Sequence, residues 1–185
     1  MQNTLDIETL KNRVIDTIRE VPDFPKAGIN FKDITPILKD IELFNGIIDH
    51  FHNEVLDHSI DTILGIESRG FLFGVPLASK LNKPFAPVRK PGKLPAETIQ
   101  ESYTLEYGED ILEVHKDACD SSSERNILIV DDLLATGGTA LATYNLAKKL
   151  GAENVTLITL IELSFLNGRE KLEKAGLNVK SMISY

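Results

Sequence analysis

Two adjacent carboxylates followed at once by a turn of small residues dominate the chemistry legible in this chain. The run Ile127-Leu-Ile-Val-Asp-Asp-Leu-Leu-Ala-Thr-Gly-Gly-Thr139 begins as an apolar strand and delivers Asp131 and Asp132 at its carboxyl end. Ala135, Thr136, Gly137, Gly138 and Thr139 then open a helix. Glycines permit a tight turn and close approach of the backbone to a ligand. The N–H groups of such a turn, with the helix N-terminus, form a seat for phosphate, and the two threonine hydroxyls add donors. No lysine follows the glycines, so this is not a Walker loop, and the spacing is not that of a dinucleotide fingerprint. Carboxylates repel phosphate, so Asp131 and Asp132 should face something else. A ribose 2′,3′-diol suits their acceptor character and their distance from a 5′-phosphate. A lone Asp-Asp pair more often caps a turn or faces water. The coincidence of strand, acids, turn and helix argues against that here.

The elements needed to position such a site are present. Apolar residues at spacings of three and four predict a first helix through Ile7, Leu10, Val14 and Ile18, stopped by Pro22 and Pro25. Asp23 to Pro36 reads as a structured loop or short edge strands, and a second helix as Leu43 to Leu56. Thr62–Ile66, Phe85–Val88, Asn126–Val130, Val155–Ile161 and Val179–Ser184 are apolar runs without alternation, separated by helical patterns to Leu81 and Leu150. Such strands belong to a parallel sheet covered on both faces. Lys90 to Ser102, polar and holding Pro91, Gly92 and Pro95, reads as a mobile loop. Alternation at Tyr103, Leu105 and Tyr107, and again at Leu112 and Val114, predicts a β-hairpin. Asn167 and Glu170 have the spacing of a capping box for a last short helix.

Composition bounds the function. The chain has 185 residues, 42% of them hydrophobic and 26% charged, as in ordinary globular proteins, and one domain is expected. The net charge of -8 disfavours nucleic acid as a partner. The longest apolar stretch, Val155 to Leu166, contains Glu162 and is too short to span a membrane. A single cysteine, Cys119, excludes an internal disulfide and a multi-cysteine zinc site. His50 and His52 lie two apart on a helix and cannot share a face as metal ligands. A cytoplasmic protein with a small-molecule partner is expected.

The segment Val130 to Thr139 resembles the phosphoribosyl-diphosphate (PRPP) motif of type I phosphoribosyltransferases, in the wording of those that act on adenine. The resemblance extends through Pro22-Asp-Phe-Pro25, Gly28 to Pro36, Glu67-Ser-Arg-Gly-Phe-Leu-Phe-Gly74, Arg89-Lys-Pro-Gly-Lys-Leu-Pro95, Ser102 to Gly108 and Gly168-Arg-Glu-Lys-Leu172. It implies a Rossmann-like α/β fold with a central, mostly parallel sheet flanked by helices. An N-terminal hood of about residues 1–36 and a flexible loop of about residues 90–107 would complete one domain. It implies that adenine and PRPP become AMP and diphosphate, with Mg²⁺ held mainly by PRPP and water rather than by the protein, and that the chain forms a homodimer.

Residue by residue, the resemblance makes Asp131, Asp132, Ala135 to Thr139, Arg89 and Lys93 the PRPP- and AMP-binding set. Arg69, Arg89 and Lys93 are the cations for a leaving group whose charge grows in the transition state. It places Glu106 near adenine N7, where a carboxyl group can share a proton, and Tyr107 near the leaving group, with Arg69 as the third catalytic residue. Strand alternation gives Glu106 the opposite facing to Leu105 and Tyr107, so both cannot point inward from a regular strand. Adenine is expected beneath the early segment, at backbone groups near Asn30, the Lys32 side chain and Leu163. Lys32 stands where many relatives have arginine and offers a point charge rather than a planar fork. Val155 to Leu166 contains no Lys or Arg to meet a 6-oxo group, which favours a 6-aminopurine. The rival reading, a regulator that senses PRPP, would call for an added DNA-binding module and a basic surface.

Overall fold

The computed structural model describes residues 6–105, 108–119 and 126–185. The chain forms two compact units, Met1–Asn53 and Glu54–Tyr185.

The first unit opens with α1 (Ile7–Thr17), which buries Leu10 and Val14 one turn apart. Its N-cap is Asp6, whose carboxylate accepts from the Thr9 N–H at 3.0 Å. The stretch after it, expected as the helix end followed by a structured loop or short edge strands, is a hairpin. Strand β1 (Arg19–Pro22) pairs antiparallel with β2 (Asn30–Asp33), Glu20 opposite Lys32. Helix α2 (Ile41–Val55) follows, close to its expected bounds.

The second unit is an α/β layer structure around a five-stranded sheet in the order β4-β3-β7-β8-β9, every neighbouring pair parallel. The strands are β3 (Thr62–Ile66), β4 (Phe85–Val88), β7 (Asn126–Leu134), β8 (Asn154–Glu162) and β9 (Asn178–Ser184). Helices α3 (Gly70–Leu81), α4 (Gly138–Lys149) and α5 (Gly168–Lys174) connect them. A separate antiparallel hairpin, β5 (Thr98–Leu105) and β6 (Gly108–His115), stands between β4 and β7 in the chain. Every residue of β3 is buried, as in strands covered on both faces. Ile127, Leu128, Ile129 and Val130 of β7 are at most 1% exposed. Each such side chain contributes about 1.5–3 kcal/mol on burial, which anchors the strand that carries the acids.

Three local readings change. Strand β7 does not stop at Val130. Its ladder with β8 runs on through Leu133–Ile161 and Leu134–Glu162, so Asp131 and Asp132 lie inside a strand. The segment read as a mobile loop, Lys90 to Ser102, divides, because Thr98 onward belongs to β5. The expected capping box at Asn167 does not form. Asn167 has φ of 55°, left-handed rather than extended, and its side chain makes no capping hydrogen bond.

Candidate active site

Parallel strands bring their carboxyl ends to one edge, where open α/β sheets bind ligands. In the second unit that edge carries Glu67 to Gly70 after β3, Arg89 after β4, Ala135 to Thr139 after β7 and Leu163 after β8.

Asp132 is 2% exposed, and Asp131 is partly exposed. The Asp132 N–H donates to Asp131 Oδ1 at 2.9 Å. Arg69 Nε lies 3.1 Å from Asp132 Oδ2 as an ion pair, while that buried oxygen takes no hydrogen bond among the described residues. The close approach needs Gly70. A methyl group there would sit 2.5 Å from the Val130 carbonyl oxygen. Desolvation, and after it the neighbouring Asp132 charge, push the Asp131 carboxyl well above its ordinary value. Desolvation also raises Asp132, against the attraction of Arg69. Asp132 is therefore a buried acid with one oxygen lacking a hydrogen bond, beside a partly exposed Asp131. Two hydroxyl groups of a sugar would supply donors to the pair.

The turn beyond them lines an open pocket with Asp131 and Thr159. Gly137 has φ of 76°, and no side chain caps α4. The first N–H groups of a helix have no intrahelical acceptor, so those of α4 are available to an anion. The turn is braced from behind. A methyl group at Gly168 would stand 2.1 Å from the Ala135 carbonyl oxygen, so α5 begins in direct contact with the loop. The next residue, Arg169, holds that position. Its Nε donates to both carboxylate oxygens of Glu162, at 2.9 and 3.1 Å, and its Nη1 to the Val179 carbonyl at 2.7 Å. Sequence reasoning assigned Arg169 no part. Its segment, Gly168 to Leu172, carries part of the family resemblance, but no residue role went with it.

Arg89 and Lys93 are positioned by two acids that sequence reasoning also missed. Arg89 meets Glu67 through Nε and Nη2, both at 3.2 Å, and Glu67 also accepts from the Lys90 N–H at 2.9 Å. Burial works against the ionised Glu67, but these donors hold its carboxyl below its ordinary value. Arg89 Nη1 donates to the Lys93 carbonyl at 3.3 Å, and the Lys93 N–H donates to Glu113 at 3.1 Å. The Lys93 side chain is exposed.

The structure thus groups Arg69, Asp131, Asp132 and residues 135–139 on one edge, with Arg89 and Lys93 after the adjacent strand. Leu163 is half-buried at the end of β8, its N–H donating to the Leu134 carbonyl at 2.9 Å. Asn30 and Lys32 belong to the first unit. There Lys32 is buried and ion-paired with Glu20, which also accepts from Asn30 Nδ2 at 3.1 Å. The Lys32 ammonium is thus engaged within its own hairpin. Glu106 and Tyr107 lie outside the described residues. No group of three or more potential metal ligands occurs among the described residues.

Residues 31–183 match the family model of the phosphoribosyl transferase domain. The chain is 58% identical over 156 residues to adenine phosphoribosyltransferase of Halothermothrix orenii, covering 84% of this chain and 91% of that one. The crystal structure of adenine phosphoribosyltransferase from Thermoanaerobacter pseudethanolicus superposes with a TM-score of 0.88 at 50% identity, over 95% of this chain and 99% of that one. The enzyme of that name from Saccharomyces cerevisiae, complexed with an imino-altritol bisphosphate and adenine, does so with 0.87 at 39% identity, over 95% and 99%. With the acid pair, the uncapped helix start and the flanking arginines already in place, these matches show that the chain belongs to the phosphoribosyltransferase family, among the adenine phosphoribosyltransferases.

Proposed function

We propose that the carboxyl edge of the second unit is where this chain moves a 5-phosphoribosyl group from PRPP to adenine, giving AMP and diphosphate. The observation that carries the assignment is the placement of Asp131 and Asp132 directly before the uncapped start of α4, beside Arg69. In this reading the 5′-phosphate takes the N–H groups and hydroxyls of Ala135 to Thr139. The ribose diol donates to the acids. Arg69, Arg89 and Lys93 hold the diphosphate, which arrives as the Mg²⁺ complex of PRPP with the ion held mainly by the substrate and water. As the bond to ribose C1 breaks, negative charge grows on the diphosphate and these cations bind it more strongly, which lowers the barrier. Leu163 packs on adenine. Glu106 shares a proton with the base, and Tyr107 stands near the leaving group.

A homodimer in the cytoplasm is part of the proposal. Leu72 and Val75, one turn apart on α3, are 38% and 50% exposed, which suits a partner copy. No helix among the described residues is long and apolar enough to cross a membrane.

The test is PRPP-dependent turnover of adenine against hypoxanthine, guanine and xanthine. The absence of Lys and Arg from Val155 to Leu166 leaves a 6-oxo group without a cationic donor. Adenine should exceed hypoxanthine in kcat/KM by at least about a hundredfold, since a mismatched polar site rejects strongly. Comparable values for both bases would end the assignment of the base.

A further inference from the structure

Glu113 of β6 is 3% exposed, yet the proposed chemistry gives it nothing to do. A buried carboxylate is costly unless hydrogen bonds replace its water. Four donors do so. Oε1 accepts from the main-chain N–H groups of Lys93 and Leu94, at 3.1 and 3.3 Å. Oε2 accepts from Thr98 Oγ1 and Gln100 Nε2, at 3.3 and 3.2 Å. The main chain of the same residue pairs with Arg89 in both directions, at 2.9 and 2.7 Å. The stretch from Arg89 to Gln100 is therefore fastened at its start, middle and end to one residue. Burial opposes ionisation of the group, and the four bonds more than offset it, so the carboxyl lies below its ordinary value. An apolar side chain would fill the same space without that penalty. What only the acid provides is a fixed path for the segment carrying Arg89 and Lys93.

We propose that Glu113 is a positioning residue for PRPP, never touching it, which presents Arg89 and Lys93 to the diphosphate by holding the Arg89–Gln100 segment in one conformation. The inference rests on the reading that Arg89 and Lys93 meet the diphosphate. Two of the four bonds end on main-chain N–H groups, so the acid sets the backbone path itself and not merely the side chains along it.

Steady-state kinetics and amide hydrogen exchange on Glu113→Gln, Lys93→Ala, Arg89→Ala and the Lys93→Ala/Glu113→Gln double variant test it. Glutamine keeps the shape but turns an NH₂ group toward donors. In Glu113→Gln the KM for PRPP should rise about tenfold or more, with the KM for adenine within about twofold of the parent. Exchange at the Lys93 and Leu94 amides should quicken about tenfold. The double variant should lose less than the product of the two single losses, because both act through the same segment. If Lys93→Ala raises the PRPP KM and Glu113→Gln does not, the role of Glu113 is overturned. Equal rises in both KM values with a lowered Tm would make Glu113 a structural acid only and overturn it as well. If neither Arg89→Ala nor Lys93→Ala changes the PRPP KM, the underlying diphosphate reading falls, and this one with it. Should Glu113→Gln not fold, Glu113→Asp, which withdraws the carboxylate by one methylene, is read by the same criteria.

Discussion

The two segments that face phosphate in the proposed complex are held by different physical means. Ala135 to Thr139 leaves the end of a buried strand and is pressed from behind by main chain, with Gly168 against the Ala135 carbonyl. Arg89 to Gln100 leaves a four-residue strand and is held by two carboxylates, Glu67 and Glu113, which gather its N–H groups. Close packing of backbone on backbone leaves no room for an added atom and depends little on which side chains line the turn. Carboxylate bracing has the opposite profile. It accommodates added bulk at the surface and fails when a single acceptor is changed to an amide.

The largest expected effect breaks the packed segment. In Gly168→Ala the new methyl group meets a carbonyl oxygen that has no freedom to move away. Overpacking of this kind costs about 3 kcal/mol, or roughly 6–12 °C in Tm for a chain this size. Displacement of the loop should also lower kcat/KM for PRPP by about a hundredfold. A variant that melts and turns over like the parent would mean that α5 does not brace the turn.

Next comes Asp131→Asn, which separates function from stability within the same region. Loss of a charged acceptor for the ribose should cut kcat/KM by about ten- to a hundredfold. The melting temperature should rise. The folded value of this carboxyl lies above the unfolded one, so its contribution to stability is present at low pH and is lost as pH rises through the folded value. The gain from asparagine should therefore appear near neutral pH and vanish near pH 4. Calorimetry at both pH values checks the sign, and a fall in Tm at pH 7 would contradict the raised value of Asp131.

The smallest effect sharpens the other side. Lys93→Ala removes an exposed ammonium while leaving the N–H that Glu113 holds. The fold should be unaffected. Binding and turnover of PRPP should lose about 1 kcal/mol, roughly fivefold, visible in kcat as well as KM if the lysine meets growing charge. An unchanged kcat would reduce it to surface charge.

The same contrast decides what the sequence makes legible. The phosphate turn is readable because its signals are local: an apolar run, adjacent acids, paired glycines. Even so, the end of β7 is misplaced, since a polar pair interrupts the apolar pattern while the ladder to β8 continues beneath it. The ion pair of Asp132 with Arg69, sixty-three residues earlier in the chain, is carried by no local pattern. The carboxylate-held segment is readable only as polar and proline-containing. Its order comes from Glu113, a charge in an alternating strand that local reasoning assigns to solvent. Strand β1 is missed because four residues with two charges resemble a frayed helix end. The Asn167–Glu170 spacing misleads because capping needs an extended N-cap residue, and the turn before α5 is left-handed.

The uncapped start of α4 has a consequence for the protein's lifetime. A ligand that binds its N–H groups stabilises the occupied fold over the empty one. A ligand bound by the native chain alone shifts the unfolding equilibrium by about 2.7 kcal/mol at a hundred times its Kd, roughly a hundredfold in the unfolded population. Cellular proteases draw on that population, and modest changes in it alter abundance several-fold. If PRPP binds at this turn as proposed, the chain's resistance to unfolding and to proteolysis rises with the concentration of that ligand.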